Sequence, residues 1–244
     1  MKKNNISICL TPDLFHHYLT NNSIVVVVDI LRATSVISTA FEYGIKSIIP
    51  VPTLEETLKY KNETNHILAA ERNTKIVPGF KFGNSPYHYM NNDINNKILV
   101  LTTTNGTKAI YIANKSNNIV VTGSYINIIA LKKYLINQNK DIIILCSGWK
   151  KLINLEDSIF AGELANILLE TNKFTSNCDS LNTAKILFKE SKDNVFQFLN
   201  KSAYRRRNKS ERLIKDTKFC LKPNIKSNIV PVFKKDKLIK MNIE

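Results

Sequence analysis

IVVVVDILRATSVISTAFEY, residues 24–43, runs from five apolar residues into Asp29, then through Arg32, Thr34 and Ser35 into an apolar-rich segment with helical spacing. A short β-branched run followed at once by such a segment reads as a buried strand feeding a helix. The joining turn lies at the strand's carboxyl end, where open α/β sheets place their chemistry. Asp29 stands there as an ionised carboxylate that needs a partner, because burying an unpaired charge is costly. Arg32 or a metal ion can supply one. A purely structural Asp29–Arg32 pair beside a helix cap is the competing account.

The same grammar extends in both directions. Ile6 to Leu10 reads as a first strand, followed by Thr11-Pro12 as a helix start and Leu14 to Leu19 as the helix. Downstream, Gly44 stops the central helix, Ser47 to Val51 is a strand, and Thr53 with Glu56 has capping-box spacing. His66 to Ala70 delivers Glu71 and Arg72 at a strand end. Residues 73–90, rich in Gly, Asn, Ser and Pro, describe a binding loop containing Asn84 and Ser85. Ile98 to Leu101 runs into TTTNGT (102–107), Ile119 to Val121 into Gly123-Ser124, and Ile142 to Leu145 into Cys146-Ser147-Gly148. Glu156 and Asp157 open a helix reaching about Leu169. Polar helices follow at Asp179 to Glu190 and Asp193 to Lys201, then strands at Ile229 to Phe233 and Leu238 to Met241. The alternation predicts a three-layer α/β/α fold with a largely parallel or mixed central sheet. We expect a single catalytic domain over 1–244, with a helical lobe or insertion from about 175 to 225.

The chain has 244 residues, 43% hydrophobic and 23% charged, enough for a substantial core. No window is apolar for long enough to span a bilayer, and MKKNNISICL has no signal-peptide core, so a cytoplasmic protein with no membrane partner is expected. The four cysteines are scattered without metal-ligand spacing and are expected to be reduced. The net charge of +15 raises the question of a polyanionic partner. It is mostly dispersed lysine, however, and the dense cluster Arg205, Arg206, Arg207, Lys209 and Arg212 carries only Tyr204 as an interleaved aromatic. A solvated helical face is favoured over a nucleic-acid patch.

Strand ends laid along one edge of a parallel sheet would gather carboxylates, arginines, hydroxyls and helix-start amides. Unpaired amides and the helix dipole bind phosphate. Thr103, Thr104, Asn105 and Gly106 form the best such cradle, and Thr34 and Ser35 the next. Asp29, Glu71, Glu156 and Asp157 suggest a hard divalent cation, with Mg2+ as the default; Asp29 and Glu71 lead as metal or acid–base residues, Asp157 is next and Glu156 behind it. Arg32 and Arg72 suit a phosphate or a second anionic group, and Ser124 and Asn127 would orient the rest. Cys146 at a strand end is either a substrate-contacting thiol or core. The chain has no P-loop, no cysteine followed six positions on by arginine, and Leu31 rather than Asp two positions after Asp29. Three common phosphoryl-transfer designs are thereby excluded.

DILRATS (29–35), ERNTKIVPGFKFGNSP (71–86), TTTNGT (102–107), GSYIN (123–127), CSG (146–148) and EDSIFAG (156–162) together resemble, in order, the motifs of the 2-phosphosulfolactate phosphatase family. The resemblance covers roughly residues 24–233. It implies a magnesium-dependent α/β phosphatase that hydrolyses (R)-2-phospho-3-sulfolactate to sulfolactate and phosphate, a step associated with coenzyme M synthesis. Where the family usually has Gly-Glu-Arg and Gly-Phe-Asp, this chain has Ala70-Glu71-Arg72 and Gly79-Phe80-Lys81. A late Ser-His element appears as Ala203-Tyr204. We therefore expect a small phosphorylated acid as substrate, possible homodimerisation as the commonest assembly, and, as the alternative, a non-catalytic anion- or nucleic-acid-binding protein on the same fold.

Overall fold

In a computed structural model that describes residues 3–244, the chain begins with β1 (Asn4–Cys9). Met1 and Lys2 of the MKKNNISICL segment lie outside the described residues. The central strand is β2 (Ile24–Val28), with all five residues buried, as a strand covered on both faces requires. It feeds α1 (Ala33–Glu42). Then come β3 (Ser47–Pro50), α2 (Leu54–Leu58), β4 (His66–Arg72), β5 (Lys75–Ile76), β6 (Ile98–Thr102) and α3 (Gly106–Asn114). Next are β7 (Ile119–Gly123), α4 (Ile128–Gln138), β8 (Ile142–Cys146), α5 (Leu155–Leu169) and β9 (Phe174–Thr175). The polar region forms α6 (Asp179–Ser191), α7 (Val195–Phe198), α8 (Ala203–Arg207) and α9 (Glu211–Cys220), before the hairpin β10 (Ile229–Lys234) and β11 (Lys237–Asn242). The Thr53 hydroxyl caps α2 by accepting from the Glu56 amide at 3.1 Å. Thr11 differs from expectation. Its hydroxyl donates to the Lys151 carbonyl at 2.9 Å instead of capping, and Pro12–His17 winds as a 3-10 turn.

The sheet order is β5-β4-β6-β3-β11-β10-β7-β2-β8-β1-β9. It is mostly parallel, with helices on both faces in three layers. One apolar cluster joins Ile24, Val26 and Val28 of β2 to α4, α5 and α6. The alternate residues Val25 and Val27 join α1, α3 and, from β6, Leu99 and Leu101. Gly162 lets α5 and α6 cross closely, since a Cβ there would lie 2.1 Å from the Ala184 carbonyl oxygen.

A single run of parallel strands with every polar turn on one edge is not what forms. The hairpin β10–β11 inserts between two parallel arms, β4-β6-β3 and β7-β2-β8-β1, through antiparallel ladders at β7–β10, β10–β11 and β11–β3. Three reversals leave the arms antiparallel as the sheet is followed. Strand ends of both arms nonetheless line one pocket: residues after β2 and β8 from one arm, and residues at the ends of β4 and β6 from the other. Among the described residues no helix is long and apolar enough to cross a membrane.

Candidate active site

The convergence is closest where α3 meets the turn after β2. A Cβ on Gly106 would sit 2.6 Å from Asp29 Oδ2 and 2.5 Å from Ala33 Cβ, so only glycine permits this approach. Asp29 is thus held between the amino termini of α1 and α3. Its Oδ1 accepts the Ala33 amide at 3.2 Å. Burial raises its pKa to about 6; the charge of Glu71 adds to the rise, while the Ala33 amide and Arg32 oppose it.

Beside this point opens a pocket of about 240 Å³, the liquid volume of about eight waters. Its walls come from four strand ends. Leu31 and Arg32 follow β2, Glu71 ends β4, Thr104 and Asn105 follow β6, and Trp149 and Lys150 follow β8. Asn73, Thr74 and Asn84 enter from the loop after β4, and Tyr204, Arg207 and Asn208 from the carboxyl-terminal helices. Glu71 accepts the Thr74 amide at 2.5 Å on Oε1 and the Thr104 hydroxyl at 3.4 Å on Oε2. Asn105 caps α3 without a side-chain bond of its own. Asn84 Oδ1 is buried with no protein partner. Arg32 is buried, and its guanidinium is bonded and ion-paired to Asp216 of α9, whose other oxygen accepts the Ser85 hydroxyl at 2.6 Å.

Of the residues singled out from sequence, Arg32, Glu71, Asn84, Thr104 and Asn105 line this pocket, with Asp29 and Gly106 directly behind. The others are spent inside the fold. Thr34 bonds the Asp29 backbone and Ser35 the Ile30 carbonyl. Thr103 and Thr107 cap one another's amides at 3.2 Å. Ser124 and Asn127 form a capping box, with Ser124 also bonded to Ser38. Arg72 bonds the Glu71 carbonyl and the Thr102 hydroxyl. Cys146 is fully buried, with its thiol pushed well above the ordinary range by desolvation, so it is core and not a contact for substrate. Cys9 and Cys220 are likewise buried, whereas Cys178 is partly exposed. A thiol-reactive dye should therefore titrate one cysteine in the native protein and four after unfolding. Rapid native reaction of two or more would contradict this packing.

The four acids proposed as metal ligands do not form one shell. Among the described residues no three Asp, Glu, His or Cys side chains are placed to share an ion. Asp157 is committed to the fold, with Oδ1 accepting the Ile30 amide and Oδ2 the Asn154 amide, each at 2.8 Å. Burial and the charges of Asp29 and Glu156 raise its pKa well above the usual range. Glu156 is buried with Oε2 unpartnered, and desolvation lifts its pKa to about 7. Asp29 and Glu71 are near enough for the charge of Glu71 to raise the Asp29 pKa, and a carboxylate pair is a donor set that magnesium accepts. That ion commonly takes one or two carboxylates and completes its shell with water and substrate phosphate.

Sequence reasoning missed Trp149, Lys150, Tyr204 and Arg207. The chain's lone tryptophan two residues after Ser147 was an available signal. The arginine cluster was read as a solvated face, yet Arg207 lines the pocket.

Comparison with known proteins identifies the family. The family model described as 2-phosphosulpholactate phosphatase matches residues 9–236. A Clostridium beijerinckii protein named "Probable 2-phosphosulfolactate phosphatase" is 34% identical over 236 residues, covering 96% of this chain and 98% of its own. A Clostridium kluyveri protein of the same name is 36% identical over 220 residues, covering 89% and 90%. With a family model that matches most of the chain and relatives similar over nearly its whole length, the chain belongs to the 2-phosphosulfolactate phosphatase family.

Proposed function

We propose that this protein is a magnesium-dependent phosphatase acting on 2-phosphosulfolactate, releasing sulfolactate and phosphate. The observation that carries the reading is the cleft lined by Glu71, Thr104 and Asn105, with Asp29 packed against Gly106 at the amino terminus of α3 beside it. Family membership and the relatives' names support the substrate. The phosphoryl group would lie at the start of α3, where the helix dipole, the Thr104 hydroxyl and the Asn105 side chain, which makes no capping bond, favour an anion. Asp29 and Glu71 would hold Mg2+, which supplies charge neutralisation at the phosphoryl oxygens and orients the attacking water. Water attacks phosphorus and gives up a proton, the P–O bond to the substrate's ester oxygen breaks, and that oxygen takes up a proton to leave as the sulfolactate hydroxyl. Arg32, anchored by Asp216, would orient the substrate's carboxylate, and the Asn84 amide oxygen, unpartnered in the fold, would accept a hydrogen bond from water in the cleft. A cytoplasmic setting accords with the unpaired cysteines.

Phosphate release from 2-phosphosulfolactate, with and without Mg2+, tests this directly. Magnesium-dependent turnover is expected, and its absence at any Mg2+ concentration sinks the proposal. A second measurement needs no turnover. Mg2+ should raise the melting temperature at pH 8 and lose that effect at pH 5. Asp29, with its pKa near 6, is ionised at the higher pH and protonated at the lower. An equal shift at both pH values would place the ion elsewhere.

A further inference from the structure

The cations around the pocket are not equivalent. Arg32 is neutralised by Asp216. Arg207 and Lys150 have no carboxylate partner within 4 Å; among the described residues the only ion pairs are Arg32–Asp216, Arg212–Asp216 and Lys151–Asp13. Both free cations are instead gathered on one indole. The Arg207 guanidinium carbon lies 3.5 Å from the Trp149 ring centroid, and Lys150 Nζ lies 4.9 Å from it. Each is attracted by the ring; both are exposed and form no ion pair, although the charge of Arg207 also reaches the buried Glu156. All three residues line the same pocket, so an anion held there would meet both charges.

The platform is built. Trp149 exchanges backbone hydrogen bonds with Leu152, at 2.8 Å and 3.0 Å, closing the loop that carries it. Gly148 takes a positive φ of 60°, and a Cβ on it would strike the Leu152 carbonyl oxygen at 2.4 Å. A guanidinium stacked on a ring keeps its in-plane N–H groups available for a planar or tetrahedral oxyanion.

We propose that Arg207, Trp149 and Lys150 form a subsite for the substrate's sulfonate. This rests on the phosphosulfolactate reading above, in which the phosphoryl group occupies the opposite wall at α3. A sulfonate stays ionised throughout the working pH range and presents three equivalent oxygens. The weakly hydrated guanidinium suits such a group better than an ammonium alone would.

Trp149 is the chain's one tryptophan, so its fluorescence reports this subsite alone. Sulfolactate should change that fluorescence saturably, and lactate should need at least about 10-fold higher concentration, the scale of one charged contact. Arg207→Ala should weaken the sulfolactate response about 10- to 100-fold. Arg207→Lys, which keeps charge without the planar stack, should fall between. In turnover, Arg207→Ala should raise KM by a similar factor for 2-phosphosulfolactate and by less than about 3-fold for 2-phospholactate, which lacks the sulfonate. Equal effects on both esters, or equal fluorescence responses to lactate and sulfolactate, overturn the assignment. No fluorescence response to sulfolactate overturns it too. If no ester is hydrolysed while sulfolactate still binds through Arg207, the phosphatase reading fails and the sulfonate subsite stands.

Discussion

Asp29→Asn should lower kcat by about 100- to 1,000-fold or more while making the protein more stable at pH 8. The activity loss follows from removing the carboxylate that faces Glu71 at the α3 amino terminus, on the scale measured when one electrostatic catalytic group is deleted. The stability gain follows from proton linkage. Burial lifts the Asp29 pKa from 3.8 to about 6, so between those values the folded state holds a proton that the unfolded state has released. Stability contributed by this group therefore falls as pH rises through that window, and above about pH 6 the whole cost is present. The shift corresponds to roughly 3 kcal/mol. Asparagine is nearly isosteric and can still accept the Ala33 amide, so most of that cost should be relieved. Urea denaturation at pH 4 and pH 8 would read it: the variant should gain on wild type only at the higher pH. A variant that stays active, or that is equally destabilised at both pH values, would remove Asp29 from the centre of the site. The opposed signs also separate a functional carboxylate from a structural Asp29–Arg32 pair, whose loss would destabilise. The geometry already argues against such a pair, because Arg32 is committed to Asp216.

Much of this site was legible because its chemistry is local. An acid at the end of an apolar strand segment, as at Asp29 and Glu71, or an Asn-Gly step opening a helix, as at Asn105 and Gly106, constrains its own position. The same logic overreached at Thr34, Ser35, Ser124 and Asn127. Hydroxyl and amide side chains at strand ends also satisfy orphan backbone groups, and these four do that. Long-range placement was not readable. The strands at 229–234 and 237–242 were recognisable singly, but nothing local says that they insert as a hairpin between two parallel arms. Tyr204 and Arg207 reach the pocket only because the chain returns over the cleft after α6, a path of the whole fold. Charge patterning then favoured a solvated face for a cluster whose one pocket-lining member sits on Trp149.

Asp216→Ala should be the most destabilising substitution near the cleft, costing about 3–5 kcal/mol. Asp216 lies in α9, fully buried, and nothing in KDT around it suggests a site. Its two oxygens join three segments distant in sequence: Arg32 after β2, Ser85 in the loop after β4, and its own helix. Alanine would leave the Arg32 guanidinium, only 2% exposed, without a counter-charge, and a buried unpaired cation is what makes half-removed ion pairs so costly. Asp216→Asn keeps an acceptor for Ser85 but not the charge, so it should fall between wild type and alanine in urea stability. The double variant Arg32→Met with Asp216→Leu should recover much of the stability, because apolar groups replace both members of the pair, yet recover no activity. That split separates folding from function. If Arg32 serves only to hold α9 against the cleft, the double variant would turn over substrate; if its remaining N–H groups orient the substrate, stability returns and catalysis does not.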